Sequence, residues 1–150
     1  MKTLKRILLV EDNQSDAELT LAALSEARLG NDVFLVRDGA EALAYLRNAW
    51  EAGQASGLPA LVLLDLKMPR VDGFEVVKKM KADDRFRDIP IVMLTSSGEE
   101  RDVQESYRLG VNAYVVKPLA FQSFVDAIKS LRLLRALIDA APAGTSRLSA

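Results

Sequence analysis

Cysteine and histidine are both absent from the 150 residues. Without thiols there is no disulfide framework and no thiol nucleophile. Without imidazole there is no serine–histidine triad, and zinc, copper and haem sites lose their usual ligands. An excess of one charge is missing too, since 20 basic and 21 acidic side chains leave a formal net charge of -1. No net positive field is there to hold a polyanion, which argues against nucleic acid as a partner. Long apolar runs are also lacking. The first, Ile7 to Val10, stops at Glu11 and Asp12, too short for the core of a signal peptide, and no stretch approaches the roughly 18 residues of a membrane span. The chain therefore reads as one globular cytoplasmic domain with no membrane partner. Its chemistry must run on carboxylates, hydroxyls, Lys, Arg and oxygen-bound cations.

Four short runs are continuous and rich in Leu or β-branched residues instead of alternating, the pattern of strands buried on both faces: Ile7–Val10, Val33–Val36, Leu61–Leu64 and Ile91–Leu94. Ala113–Val116 makes a fifth. Between them the period becomes helical. Val76, Val77 and Met80 follow Gly73 at offsets of three, four and seven, and Leu43, Leu46 and Trp50 repeat the spacing. Phe121, Phe124, Val125, Ile128 and Leu131 form the clearest stripe. Strands alternating with helices predict an α/β fold, a doubly wound five-stranded parallel sheet flanked by five helices. Breakers fall at the joints, at Gly30 and Asn31, Gly57 and Pro59, Pro90, and Gly110. The stretch Glu51 to Ala60 reads as a long surface linker. The domain is expected over residues 1–138, followed by a flexible tail of small and polar residues over 139–150.

Ligands of an open parallel sheet bind beyond the carboxyl ends of its strands. The residues there are Glu11-Asp12-Asn13 after the first run, Asp65 to Pro69 after the third, Thr95-Ser96-Ser97 after the fourth and Lys117-Pro118 after the fifth. Singly, each has an ordinary reading: Asp12, Asp72 and Thr95 suit helix caps or turns, and Lys117 a solvated charge. Together they ask for more. Carboxylates brought to one edge repel each other and lose hydration, so Lys117 or a divalent cation must balance them. Carboxylates without imidazole or thiolate make a hard-oxygen site, and a few of them completed by water suit Mg²⁺. Mg²⁺, an ammonium and a hydroxyl together steady a phosphoryl group. Asp65, at the end of the most buried run, is the carboxylate placed to accept one as an acyl phosphate.

With acids after the first strand, D-x-x-M-P and then D-G after the third, T-S after the fourth and aromatic-x-x-K-P around the fifth, the sequence resembles the receiver domain of two-component response regulators. The resemblance runs from Leu4 to about Leu134 and implies a flavodoxin-like receiver fold. It implies that Glu11 and Asp12 hold Mg²⁺ with Asp65, helped by the backbone carbonyl of Lys67, and that Asp65 is phosphorylated. Thr95 becomes the switch hydroxyl, Lys117 the phosphate-binding ammonium, and Tyr114 the aromatic whose rotamer follows the state of the site. A cis peptide before Pro118 is implied, as is signalling through the surface of the fourth helix, fifth strand and fifth helix. Two positions depart from the commonest pattern. Lys67 stands where many relatives carry a small polar or amide side chain, which bears on hydrolysis of the acyl phosphate. Glu11 stands where Asp is also common, and its longer side chain would reach the metal through water.

A chain without histidine cannot be its own phosphohistidine donor, so a histidine kinase, a phosphotransfer protein or a small phosphodonor must supply the group. No output domain is legible after Leu134, and a stand-alone receiver that is not otherwise an enzyme is expected. The Glu51 to Ala60 linker, the run Lys81 to Pro90 and the run Leu109 to Tyr114 resemble single-domain regulators paired with bacterial phytochrome histidine kinases. The alternative is a chemotaxis-type or phosphorelay receiver that passes phosphate to a histidine phosphotransfer protein. Leu131, Leu134, Leu137 and Ile138 extend the last stripe beyond what one small domain can cover, and a homodimer through them is expected. Rival chemistries fit poorly. An aspartate-based phosphatase wants a second Asp where Lys67 stands, and a flavodoxin-like cofactor binder wants a phosphate-cradling loop where Glu11 and Asp12 would repel phosphate.

Overall fold

The computed structural model describes residues 6–26, 32–53, 57–68 and 71–117. Within them the apolar tetrads become strands β1 (Ile7–Val10), β2 (Val33–Val36) and β3 (Leu61–Leu64), followed by β4 (Ile91–Thr95) and β5 (Ala113–Val116). The helices are α1 (Gln14–Glu26), α2 (Gly39–Gly53), α3 (Gly73–Lys81) and α4 (Glu100–Leu109). The strands form one sheet of order β2-β1-β3-β4-β5, every pair parallel. β1, β3 and β4 are buried from end to end, which is why their sequences run apolar without alternation.

Successive strand residues point to opposite faces and supply two cores. Leu8, Val10, Val62, Leu64, Ile91 and Met93 meet Leu43 and Leu46 of α2 and Val76, Val77 and Met80 of α3. Ile7, Leu9, Leu61, Leu63, Val92 and Leu94 meet Ala17, Ala23 and Leu24 of α1. Helices on both faces are the doubly wound arrangement that the sequence implied. Each helix also has a local reason to start or stop. Asn13 Oδ1 accepts from the Asp16 amide (2.9 Å), Asp38 Oδ1 from Glu41 (2.8 Å) and Asp72 Oδ1 from Glu75 (3.0 Å), satisfying free amides at the starts of α1, α2 and α3. Gly110 ends α4 in the left-handed region (φ 109°), where a side chain would be strained.

Two boundaries differ from the sequence reading. α2 continues through Glu51, Ala52 and Gly53, taking the front of the expected linker, because Trp50 packs against the core and keeps the helical period running. β4 includes Thr95, whose backbone still pairs with Val116. The fifth helix stripe, Pro118 and the tail over 139–150 lie outside the described residues, as do Gly30, Asn31 and Pro69.

Candidate phosphoacceptor site

The order of the strands changes direction between β1 and β3, where an open α/β sheet leaves its crevice. Val10 stands opposite Leu64, and the Asp65 amide donates to the Val10 carbonyl (3.1 Å), so Glu11 and Asp65 leave the sheet side by side. Gly73 closes the loop from below. A Cβ there would come within 2.6 Å of the Asp65 carbonyl oxygen and 2.7 Å of Leu66 Cα. Only glycine lets α3 begin this near the loop that carries Asp65, and its amide donates to the Leu66 carbonyl (2.7 Å).

One carboxylate oxygen from each of Glu11, Asp12 and Asp65 lies within 4.8 Å of the other two. Glu11 and Asp65 are buried, whereas Asp12 is exposed. The cap reading of Asp12 is corrected here, since Asn13 caps α1 and leaves Asp12 to the cluster. Asp72, by contrast, is a cap. Lys117 reaches in from the end of β5, where its amide donates to the Thr95 carbonyl (2.7 Å). Its ammonium donates to Glu11 Oε1 (2.5 Å) and Asp16 Oδ2 (2.9 Å) and stands 3.7 Å from Asp65 Oδ2. Glu11 Oε2 accepts from the Asn13 amide (3.1 Å).

Burial sets the electrostatics. It pushes Glu11 up to about 7, with the Lys117 bond opposing and the charge of Asp65 adding. Burial also raises Asp65 above its usual range, against the pull of Lys117. It works against the charge of Lys117 as well, but the bonds to Glu11 and Asp16 outweigh it, and that ammonium is held more firmly protonated.

Thr95 is wholly buried at the end of β4, and its hydroxyl accepts from the Ser97 amide (3.3 Å). Tyr114 packs against the core on the α2 and α3 side, and its hydroxyl donates to the Ser97 carbonyl (2.8 Å). The two expected switch residues therefore meet at Ser97, whose own hydroxyl donates to Asp102 of α4 (2.6 Å). Lys67 is exposed, with its amide 3.4 Å from Asp65 Oδ1. Leu131, Leu134, Leu137 and Ile138 lie outside the described residues. Sequence reasoning passed over Asp16. Its only signal was an acid in the first turn of a helix, which commonly just favours the positive end of the helix dipole.

A parallel α/β sheet with clustered acids and an ammonium at its switch point is the arrangement of a receiver type of signalling domain. The chain belongs to the response regulator receiver domain family, whose model matches residues 7–129. It is similar to the solved bacteriophytochrome response regulator AtBRR, with 54% identity and a TM-score of 0.75 over 87% of this chain and 94% of that one. The bacteriophytochrome response regulator RtBRR is 51% identical, with a TM-score of 0.79 over 97% of this chain and 88% of that one. The response regulator Rcp1 of Synechocystis is 41% identical over 113 residues, which cover 75% of this chain and 76% of Rcp1. Among the described residues, no helix is long and apolar enough to cross a membrane.

Proposed function

We propose that the chain is a response regulator that accepts a phosphoryl group on Asp65 from a histidine kinase in a Mg²⁺-dependent reaction. The observation that carries this reading is the Lys117 ammonium 3.7 Å from an Asp65 carboxylate that itself belongs to an all-oxygen acidic trio. The trio fits Mg²⁺ by its donor chemistry, with the backbone carbonyl of Lys67 as a further ligand in this reading. Held there, the ion would offset the charge of the phosphoryl oxygens.

The remaining work falls to side chains. An Asp65 carboxylate oxygen attacks phosphorus. The new O–P bond forms as the P–N bond to the donor imidazole breaks, and the bonding pair stays on the imidazole nitrogen. Lys117 Nζ donates to one phosphoryl oxygen and the Thr95 hydroxyl to another. Once Thr95 turns toward phosphate it gives up the Ser97 amide, and the Ser97 link to Tyr114 and α4 loosens. The surface of α4, β5 and the fifth helix then changes by a population shift. The chain catalyses only its own phosphorylation and dephosphorylation.

A bacteriophytochrome kinase is the donor in this reading, met in the cytoplasm; the likeness to AtBRR and RtBRR, both bacteriophytochrome response regulators, supports the choice of kinase. A phosphorylated structure of the cyanobacterial phytochrome response regulator RcpA, 37% identical with a TM-score of 0.72, supports the phosphoacceptor role. The domain is taken to span residues 1–138 and to pair with a second copy through Leu131, Leu134, Leu137 and Ile138. Incubating wild type and Asp65→Asn with acetyl phosphate, with and without Mg²⁺, and weighing the intact proteins tests the central reading. A single phosphoryl group on wild type, only with Mg²⁺, is expected. Equal uptake by Asp65→Asn would sink it.

A further inference from the structure

We propose that Asp16 is a positioning residue for phosphoryl transfer, holding the Lys117 ammonium within reach of Asp65 through a carboxylate that stands outside the acidic trio. The inference rests on Asp65 being the phosphoacceptor.

An ammonium has three N–H donors. Two are engaged here, by Glu11 and by Asp16. The third is left for the oxygens of a phosphoryl group on Asp65, whose Oδ2 at 3.7 Å lies just beyond direct hydrogen-bond reach. The two anchors are not equivalent. Glu11 belongs to the trio, and its other oxygen is already committed to the Asn13 amide, so a cation bound by the trio competes with Lys117 for it. Asp16 is not a member of the trio. When a cation draws on Glu11, the Asp16 carboxylate is the anchor that remains.

The placement of Asp16 is itself secured by the chain. Its amide donates to Asn13 Oδ1 at the start of α1, so its backbone is fixed by a contact that does not involve its own side chain. The Lys117–Asp16 bond joins the first turn of α1 to the residue that follows β5, the two flanks of Asp65. A lysine has four rotatable carbons and a strongly hydrated head, and without a tether it swings to water. Losing Asp16 leaves Asp65, the trio and the α1 cap in place but lets the ammonium wander. The cost falls on the rate of transfer, because orientation of a charged group in the transition state is what the tether supplies.

The test compares phosphorylation rates with acetyl phosphate at saturating Mg²⁺, read by intact mass against time. The proteins are wild type, Asp16→Ala, Asp16→Asn, Lys117→Ala and the Asp16→Ala, Lys117→Ala double variant. Asp16→Ala should slow transfer about tenfold, the scale of one charge-assisted hydrogen bond lost. Asp16→Asn, whose amide oxygen still accepts, should fall between it and wild type. Melting curves should show every variant folded. In the Lys117→Ala background, Asp16→Ala should cost nothing more, since its effect passes through that lysine. A wild-type rate in Asp16→Ala, or the same slowing with Lys117 already gone, overturns the proposal. A wild type that takes no phosphate overturns the phosphoacceptor reading instead, and the proposal with it.

Discussion

The Glu11 carboxyl, buried beside Lys117 and Asp65 and pushed up to about 7, holds a proton in the folded protein where an ordinary glutamate near 4.5 has released it. A folded state that binds more protons loses stability as pH rises. Between pH 4.5 and 7 the metal-free protein should therefore lose stability with rising pH, by up to about 1.4 kcal/mol per pH unit for one whole proton. Glu11→Gln removes that contribution. Urea melts in chelator across this range check it, and identical slopes for the two proteins would contradict it. Asp12 gives the complementary case. Its charge is among those that raise Asp65, and it caps nothing. Asp12→Ala should leave the metal-free melting point unchanged or higher while weakening Mg²⁺ binding about tenfold or more. Calorimetric titration with unchanged affinity would remove Asp12 from the ligand set. Glu11, Asp12, Asp65 and Lys117 were legible in the sequence because each directly follows, or nearly follows, an apolar run, so finding the strand ends finds the residues. Asp16 was not, and Ser97 was visible only as a residue after a strand, because their roles depend on partners distant along the chain: Lys117 lies 101 residues beyond Asp16, and Tyr114 17 residues beyond Ser97.

Among the elements, the junction of β3, its loop and α3 is the least tolerant of added bulk. Gly73→Ala would drive a methyl into the Asp65 carbonyl and the Leu66 backbone, neither of which is the yielding end of a side chain. A loss of about 1–3 kcal/mol is expected, together with slower phosphorylation, because the displaced backbone carries Asp65. Gly98 is a control on the neighbouring loop, where a Cβ would meet only Val116 Cγ1 at 3.9 Å. Gly98→Ala should leave stability within about 0.5 kcal/mol of wild type or slightly raise it. Equal losses in the two variants, measured by denaturant melts, would contradict the role given to Gly73. The D-G dipeptide was legible as a motif, but its reason is tertiary: Asp72 caps α3 and Gly73 makes room for the loop. The end of α2 was misjudged for a similar reason. Composition after Trp50 suggested a linker, whereas packing of Trp50 on the core extends the helix to Gly53.

For the whole molecule, a parallel sheet covered by helices on both faces followed from unbroken apolar runs alternating with helical stripes, whereas the strand order is read from the structure alone. The proposed association rests only on surplus apolar positions in the sequence, Leu131, Leu134, Leu137 and Ile138, which lie outside the described residues. If a second copy buries these four side chains, the gross gain is several kcal/mol at roughly 25 cal/mol per Å², partly offset by the entropy of association, and a dimer of about micromolar strength is expected. Sedimentation at about 100 μM should show wild type as a dimer and a Leu134→Lys, Leu137→Lys variant as a monomer. A monomeric wild type would assign those residues to packing within one chain. Phosphoryl transfer, the Lys117 tether and the Thr95 switch all require the phosphoryl group to sit on Asp65, and its position can be read directly. Borohydride reduces an acyl phosphate to an alcohol and spares free carboxylates, so peptide mass spectrometry of the phosphorylated, reduced protein should find homoserine at position 65 and aspartate at positions 12 and 16. Homoserine at another position, with aspartate intact at 65, would contradict it.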